Sequence, residues 1–195
     1  MLRTRALFLF LFLFLLWGCA SPREGPDSPS NQAELASLTS LLRPGEGPLP
    51  SRSYLDGHYG APVELLLHVA TSADSDLLLR SNALRELGLF PDSPTAMAKL
   101  VELANDKAAM RPDRIGALSG LAQPDARDNA LDRSLLPLLD DSDPVVQGAS
   151  VQLLASCPEA LPRIKDLAED PATDAEVRRL AELVLQEAGR ESPEP

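Results

Sequence analysis

Few residues in this 195-residue chain could carry chemistry. It has two histidines, His58 and His68, and two cysteines, Cys19 and Cys157. The segment Tyr54-Leu55-Asp56-Gly57-His58-Tyr59 gathers both tyrosines around one histidine and one aspartate. A zinc site needs three or four ligands, and no H-x-x-x-H or C-x-x-C spacing supplies the others. The segment is therefore expected to pack its tyrosines over the end of a helical domain, with Tyr54, His58 and Tyr59 as candidates for a recognition loop. His68 lies in an apolar stretch at a helical position and reads as a packed or surface residue. Asp140-Asp141-Ser142-Asp143 is acidic enough for calcium. It lacks the turn glycine and the twelfth-position glutamate of a calcium loop, so helix capping and a turn between helices explain it better. Cys157 has no histidine near it in sequence, precedes Pro158 at an expected helix start, and reads as a structural thiol. No nucleophile elbow, S-x-x-K or phosphate loop occurs. The expectation is a protein without catalytic residues, metal or cofactor.

Cys19 stands in a different context. Residues 1–5, MLRTR, carry two arginines, and residues 6–17 are uninterrupted apolar. That is the plan of a secretory signal peptide. Twelve helical residues rise about 18 Å, short of the roughly 30 Å of bilayer hydrocarbon. The run ends in Leu16-Trp17-Gly18-Cys19, which resembles the lipobox of bacterial lipoproteins, with Trp17 in place of the usual small residue. The resemblance implies a diacylglycerol on the Cys19 sulfur, removal of residues 1–18, and acylation, as with palmitate, of the new amine. Two or three acyl chains hold a protein stably where one does not. Ala20 is not a retention aspartate, so the resemblance implies an outer-membrane lipid anchor facing the periplasm.

Removal of Arg3 and Arg5 with that leader turns the 18 basic residues into 16 against 29 acidic ones, a formal charge of −13. Such a chain repels nucleic acid, which is excluded as a partner. Aromatic residues are 4% of the chain while Leu and Ala dominate, which suits packed helices and not a β-sandwich. Residues 19–31 are nearly free of apolar side chains and read as a flexible tether. Asn31 and Glu34 form a capping-box pattern ahead of Leu35, Leu38, Leu41 and Leu42. Residues 32–61 read as this short helix plus a long irregular loop over 43–61. From Pro62 onward, apolar residues recur at helical spacing over 62–70, 76–88, 93–106, 112–122, 128–141, 143–157, 158–170 and 173–189. Pro94, Pro112, Pro144 and Pro158 fall at or near first helical positions, whereas Pro137 lies inside a stripe and predicts a kink or stop. Residues 190–195 read as a disordered tail.

The helices repeat. The pattern apolar–Arg–x–x–small–x–x–x–Leu fits Leu79-Arg80…Ala83…Leu87, Val146-Gln147…Ser150…Leu154 and Val177-Arg178…Ala181…Leu185. Asp113-Arg114…Ala117…Leu121 fits after its first position. The starts at 79, 113, 146 and 177 are spaced by 34, 33 and 31, the period of a two-helix unit. Asp143-Pro144-Val145-Val146 and Arg80…Ala83…Leu87-Gly88 resemble the bacterial HEAT repeat over about residues 62–189. The resemblance implies an all-α, short right-handed solenoid of about four helix pairs, with the second helix of each pair on the concave side. It also implies an Asp–Arg ladder through Arg80, Arg114 and Arg178, weakened at Gln147. Candidate concave residues are Glu64, His68, Lys99, Glu102, Arg133, Arg163, Lys165 and Asp166. A solenoid offers an extended surface. The function expected is therefore a protein- or peptide-binding scaffold of the cell envelope, anchored to the membrane through Cys19. The alternative is an enzyme accessory factor, or a weakly active enzyme, with a site near the 54–59 loop.

Overall fold

The computed structural model describes residues 29–43, 45, 48–123 and 129–191. Cys19, the leader, most of the tether and residues 192–195 lie outside the described residues. The described residues are all-helical: α1 (Pro29–Leu41), α2 (Arg52–His58), α3 (Pro62–Thr71), α4 (Leu77–Leu87), α5 (Pro94–Asn105), α6 (Arg111–Leu121) and α7 (Asn129–Leu135) come first. A 3₁₀ turn (Leu136–Asp140), α8 (Pro144–Leu153), α9 (Leu161–Glu169) and α10 (Ala175–Glu191) follow. None of these helices is long and apolar enough to cross a membrane.

Local chemistry sets most of the starts. Asp76, Ser93 and Asp143 accept hydrogen bonds from the first-turn amides of α4, α5 and α8. Pro62, Pro94 and Pro144 occupy first helical positions, where a missing N–H costs nothing. Pro137 has the effect its position predicts: α7 stops at Leu135 and the chain continues as a 3₁₀ turn.

Four expectations differ from the structure. Asn31 lies inside α1, which begins at Pro29, so it does not cap that helix, and residues 29–31 of the expected tether are helical. The irregular stretch over 43–61 contains α2, capped by the Ser51 hydroxyl and pinned by buried Leu55. Pro158 stands in a turn, and the following helix starts at Leu161 with Pro162 in its first turn. Finally, α10 continues through Arg190 and Glu191, into the expected tail.

The core is built of leucine, alanine and valine from α1 to α10, with Leu38, Leu66, Leu84, Leu100, Leu121, Leu139, Leu154 and Ile164 fully buried. Helices α4, α6, α8 and α10 pack side by side in that order. Helices α3, α5 and α9 and the 3₁₀ turn pack onto α4, α6, α10 and α8 respectively. The α4–α6 seam is very close. A Cβ on Gly88 would lie 2.0 Å from the Gly120 carbonyl oxygen, and one on Gly120 would lie 2.5 Å from the Leu84 carbonyl oxygen. Only glycine permits this approach. Ser81 meets Gly116 and Leu84 meets Gly120, so the two helices run parallel.

The four residues at the arginine position of the sequence pattern behave alike. Arg80 donates to the Ser75 carbonyl (2.8 Å), Arg114 to Ala104 (3.0 Å), Gln147 to Leu139 (2.7 Å) and Arg178 to Pro171 (3.4 Å). Each thereby closes the corner that leads into its own helix. Arg80 also holds Asp113 through two hydrogen bonds, and Arg114 holds Asp141 in the same way.

Candidate binding surface

The residues singled out in the sequence divide into several local arrangements. The Tyr54 ring stacks on the His58 imidazole with centroids 3.9 Å apart. The His58 Nδ1 lies 2.9 Å from the Tyr54 carbonyl, one helical turn away. Tyr59 is buried, with its hydroxyl 3.3 Å from the Ser37 hydroxyl, and it anchors α1 against the end of α2. Asp56 pairs with Arg52, which also reaches Asp92 and the Leu89 carbonyl. Among the described residues, no group of three or more His, Cys, Asp or Glu side chains is placed to hold a metal. His68 is exposed near the end of α3, and Cys157 is buried in the turn between α8 and α9.

Most of the charged residues proposed for the concave side are held in ion pairs. Lys99 pairs with Glu102 at 2.8 Å and Lys165 with Glu169 at 3.7 Å. Arg133 grips both oxygens of Glu159, an arrangement that raises the guanidinium pKa and lowers the carboxyl's. Arg163 pairs with Asp140 and, more loosely, with Asp166 at 3.7 Å. Glu64 remains exposed on α3.

The acidic run 140–143 is a knot of ion pairs. Asp140 meets Arg163 from α9, Asp141 meets Arg114 from α6 at 2.5 Å, and Asp143 meets Arg111 from α6 at 2.5 Å. Burial works to raise the Asp141 carboxyl. The Arg114 guanidinium and the Asp143 amide outweigh it and hold the group below the usual carboxylate range. For Asp143, the Arg111 hydrogen bond is the main cause of a lowered pKa.

The sequence reading missed a different surface. Large apolar side chains are exposed at Leu77, Leu78, Met110 and Val145. Leu77 and Leu78 open α4, Met110 caps α6 and Val145 sits in the first turn of α8. The starts of α6 and α8 are held together by Arg111–Asp143 and Arg114–Asp141, and the parallel run of α4 and α6 brings their starts together as well. One edge of the helix row therefore carries a line of apolar groups. The signal lay in the sequence: Asp-Leu-Leu-Leu-Arg has two more leucines than the buried stripe uses, since only Leu79 is buried.

Further along the same two helices the seam opens. A groove of about 260 Å³ lies between α6 and α8. Ile115, Leu118 and Ala122 line one wall and Ala149 and Leu153 the other, with Ser119 and Gln152 as polar points. Ser119 already donates to the Ile115 carbonyl, so Gln152 is the side chain there with amide groups to offer. The edge and groove together can take an apolar ligand surface with a few polar contacts, and they contain no nucleophile–base pair. Compared with protein-family models, curated proteins and solved structures, the chain matches none.

Proposed function

We propose that this chain is a lipid-anchored, protein-binding module of the bacterial cell envelope, built on a HEAT-like solenoid. Three things support the reading. The lipobox-like run ending at Cys19 supports the anchor. The ordered row α4–α6–α8–α10, with Arg80, Arg114, Gln147 and Arg178 closing equivalent corners, supports a stack of repeated units. The line of exposed Leu77, Leu78, Met110 and Val145 carries the binding reading, because an exposed row of large apolar groups invites a partner.

The partner class follows from the surface. Its contact face is apolar, and basic groups would flank that face. Lys99, Arg111, Arg133, Arg163, Lys165 and Arg179 are already engaged with acidic neighbours, so the acidic surplus, −13 once residues 1–18 are removed, is what a partner meets.

Photo-crosslinkers placed at Leu78, Met110 and Val145 in the native envelope test this reading. Specific adducts at these three sites, absent from a control at Glu182 on α10, are expected. Equal labelling at all four sites overturns the edge as a binding surface. The anchor is tested separately by fatty-acid labelling: label must vanish in Cys19→Ala, and label that persists rules out lipid on that sulfur.

A further inference from the structure

Glu86 is the anomaly among the described residues. It sits on α4 with 3% of its surface exposed, and its Oε2 has no hydrogen-bond partner. A buried carboxylate without a partner is costly, so such groups are rare and call for a reason. Its neighbours supply one. Asn82, one turn earlier on the same side of α4, donates to the Leu42 carbonyl just beyond α1 (2.8 Å). Leu89 and Phe90, one turn later, meet Arg52 of α2: the guanidinium donates to the Leu89 carbonyl (3.2 Å) and lies 5.1 Å over the Phe90 ring. The chain is therefore clamped at Leu42 and at Arg52 to α4 and its following turn, on both sides of Glu86.

We propose that Glu86 is the latch of a proton-controlled cover: residues 34–43 and 48–59 close on α4 while its carboxyl holds a proton and loosen when it ionises.

The surrounding charges leave this carboxyl alone. On its own helix, Arg80 is taken by Asp113 and the Ser75 carbonyl, and exposed Arg85 only partly offsets the effect of burial. From the cover, Glu34 accepts from the Gly60 amide, Arg43 is exposed, Arg52 is held by Asp56 and Asp92, and His58 faces Tyr54. Glu64 and His68 of α3 are exposed, and Lys99 and Glu102 of α5 pair with each other. On α6, Asp113 faces Arg80, while Arg111 and Arg114 are held by Asp143 and Asp141. Burial thus dominates and lifts the Glu86 carboxyl from an ordinary value of 4.5 to about 7. A raised carboxyl pKa favours the closed form fully below the ordinary value. The advantage falls as pH rises toward 7 and is then flat. Full re-solvation on opening makes the swing at most about 300-fold in the closed-to-open ratio.

Hydrogen exchange of the full chain at pH 5.5 and pH 8, corrected for intrinsic rates, tests the latch. Protection of residues 34–43 and 48–59 is expected to fall at least tenfold at the higher pH while α8 to α10 hold steady, and Glu86→Gln is expected to abolish the difference. An equal fall in wild type and Glu86→Gln, or an equal fall across α8 to α10, overturns the proposal. A carboxyl-carbon NMR titration of the wild type serves if the variant does not fold: a midpoint near 7 supports the latch, and an ordinary glutamate midpoint overturns it.

Discussion

The seam between α4 and α6 and the seam between α6 and α8 join the same kind of helix in opposite ways. The first is closed by absence: Gly88, Gly116 and Gly120 remove side chains, and the backbones approach until no Cβ fits. The second is closed at one end by charge, through Arg114–Asp141 and Arg111–Asp143, and stays open toward the other as a groove of about 260 Å³. A seam made of missing atoms leaves no room between the backbones. One made of ion pairs at a single end leaves room beside them, and that room is where the candidate groove lies.

Breaking the charged end is expected to have the largest effect. Arg114→Met leaves Asp141 buried without its cation and is expected to cost about 3–5 kcal/mol. The double variant Arg114→Met/Asp141→Leu should recover most of that loss, because it removes both desolvated charges. Urea unfolding of the two variants and the wild type decides it: a double variant no better than the single one would mean the pair is favourable in its own right.

The glycine seam comes next. Gly120→Val forces side-chain atoms against the Leu84 carbonyl and is expected to cost about 1–3 kcal/mol. Ala149→Val, which points into the open seam, is expected to change stability by less than about 1 kcal/mol. Similar losses for the two by thermal melting would show that the seams do not differ in tightness.

Acid separates the two regions by sign. Asp141 is held below its ordinary range, so the stability it contributes is complete above about pH 4 and is lost as pH falls through its lowered value. Glu86 runs the other way, favouring the closed cover as pH falls toward 5. Exchange across the α6–α8 seam is therefore expected to rise only below pH 4, while the cover tightens between pH 7 and 5. A seam that loosens already at pH 6 contradicts the assignment.

The smallest effect is expected on the second helices. Lys99→Ala removes an exposed i,i+3 pair and should shift stability by no more than about 0.5 kcal/mol. A shift above 1 kcal/mol would mean that the pair has a structural role.

The helices from Pro62 onward were legible because their determinants are local: a capping Asp or Ser, a first-turn proline, and Leu or Val at helical spacing. Pro137 revealed its 3₁₀ turn for the same reason. Helix α2 was not legible, since seven residues with one buried leucine and a glycine carry no stripe to read. Helix α9 misled because Cys157-Pro158 offers a plausible start, yet Leu161-Pro162 has the better-placed proline. The candidate surface was legible only in part. Arg133 and Arg163 read as candidates for a binding face, and the sequence hid their partners because Glu159 and Asp140 lie more than twenty residues away. Glu86 stands beside Arg85 in the sequence with nothing to mark it as buried, and its burial comes from tertiary packing. The groove is a gap between helices some thirty residues apart, and no spacing rule encodes a gap.

The corner clamps formed by Arg80, Arg114, Gln147 and Arg178 have a kinetic consequence. Each links residues only five to ten positions apart, so the loop it closes is short and its entropic cost small. Every corner can therefore form before its neighbours arrive. Contacts this local are the kind that speed folding.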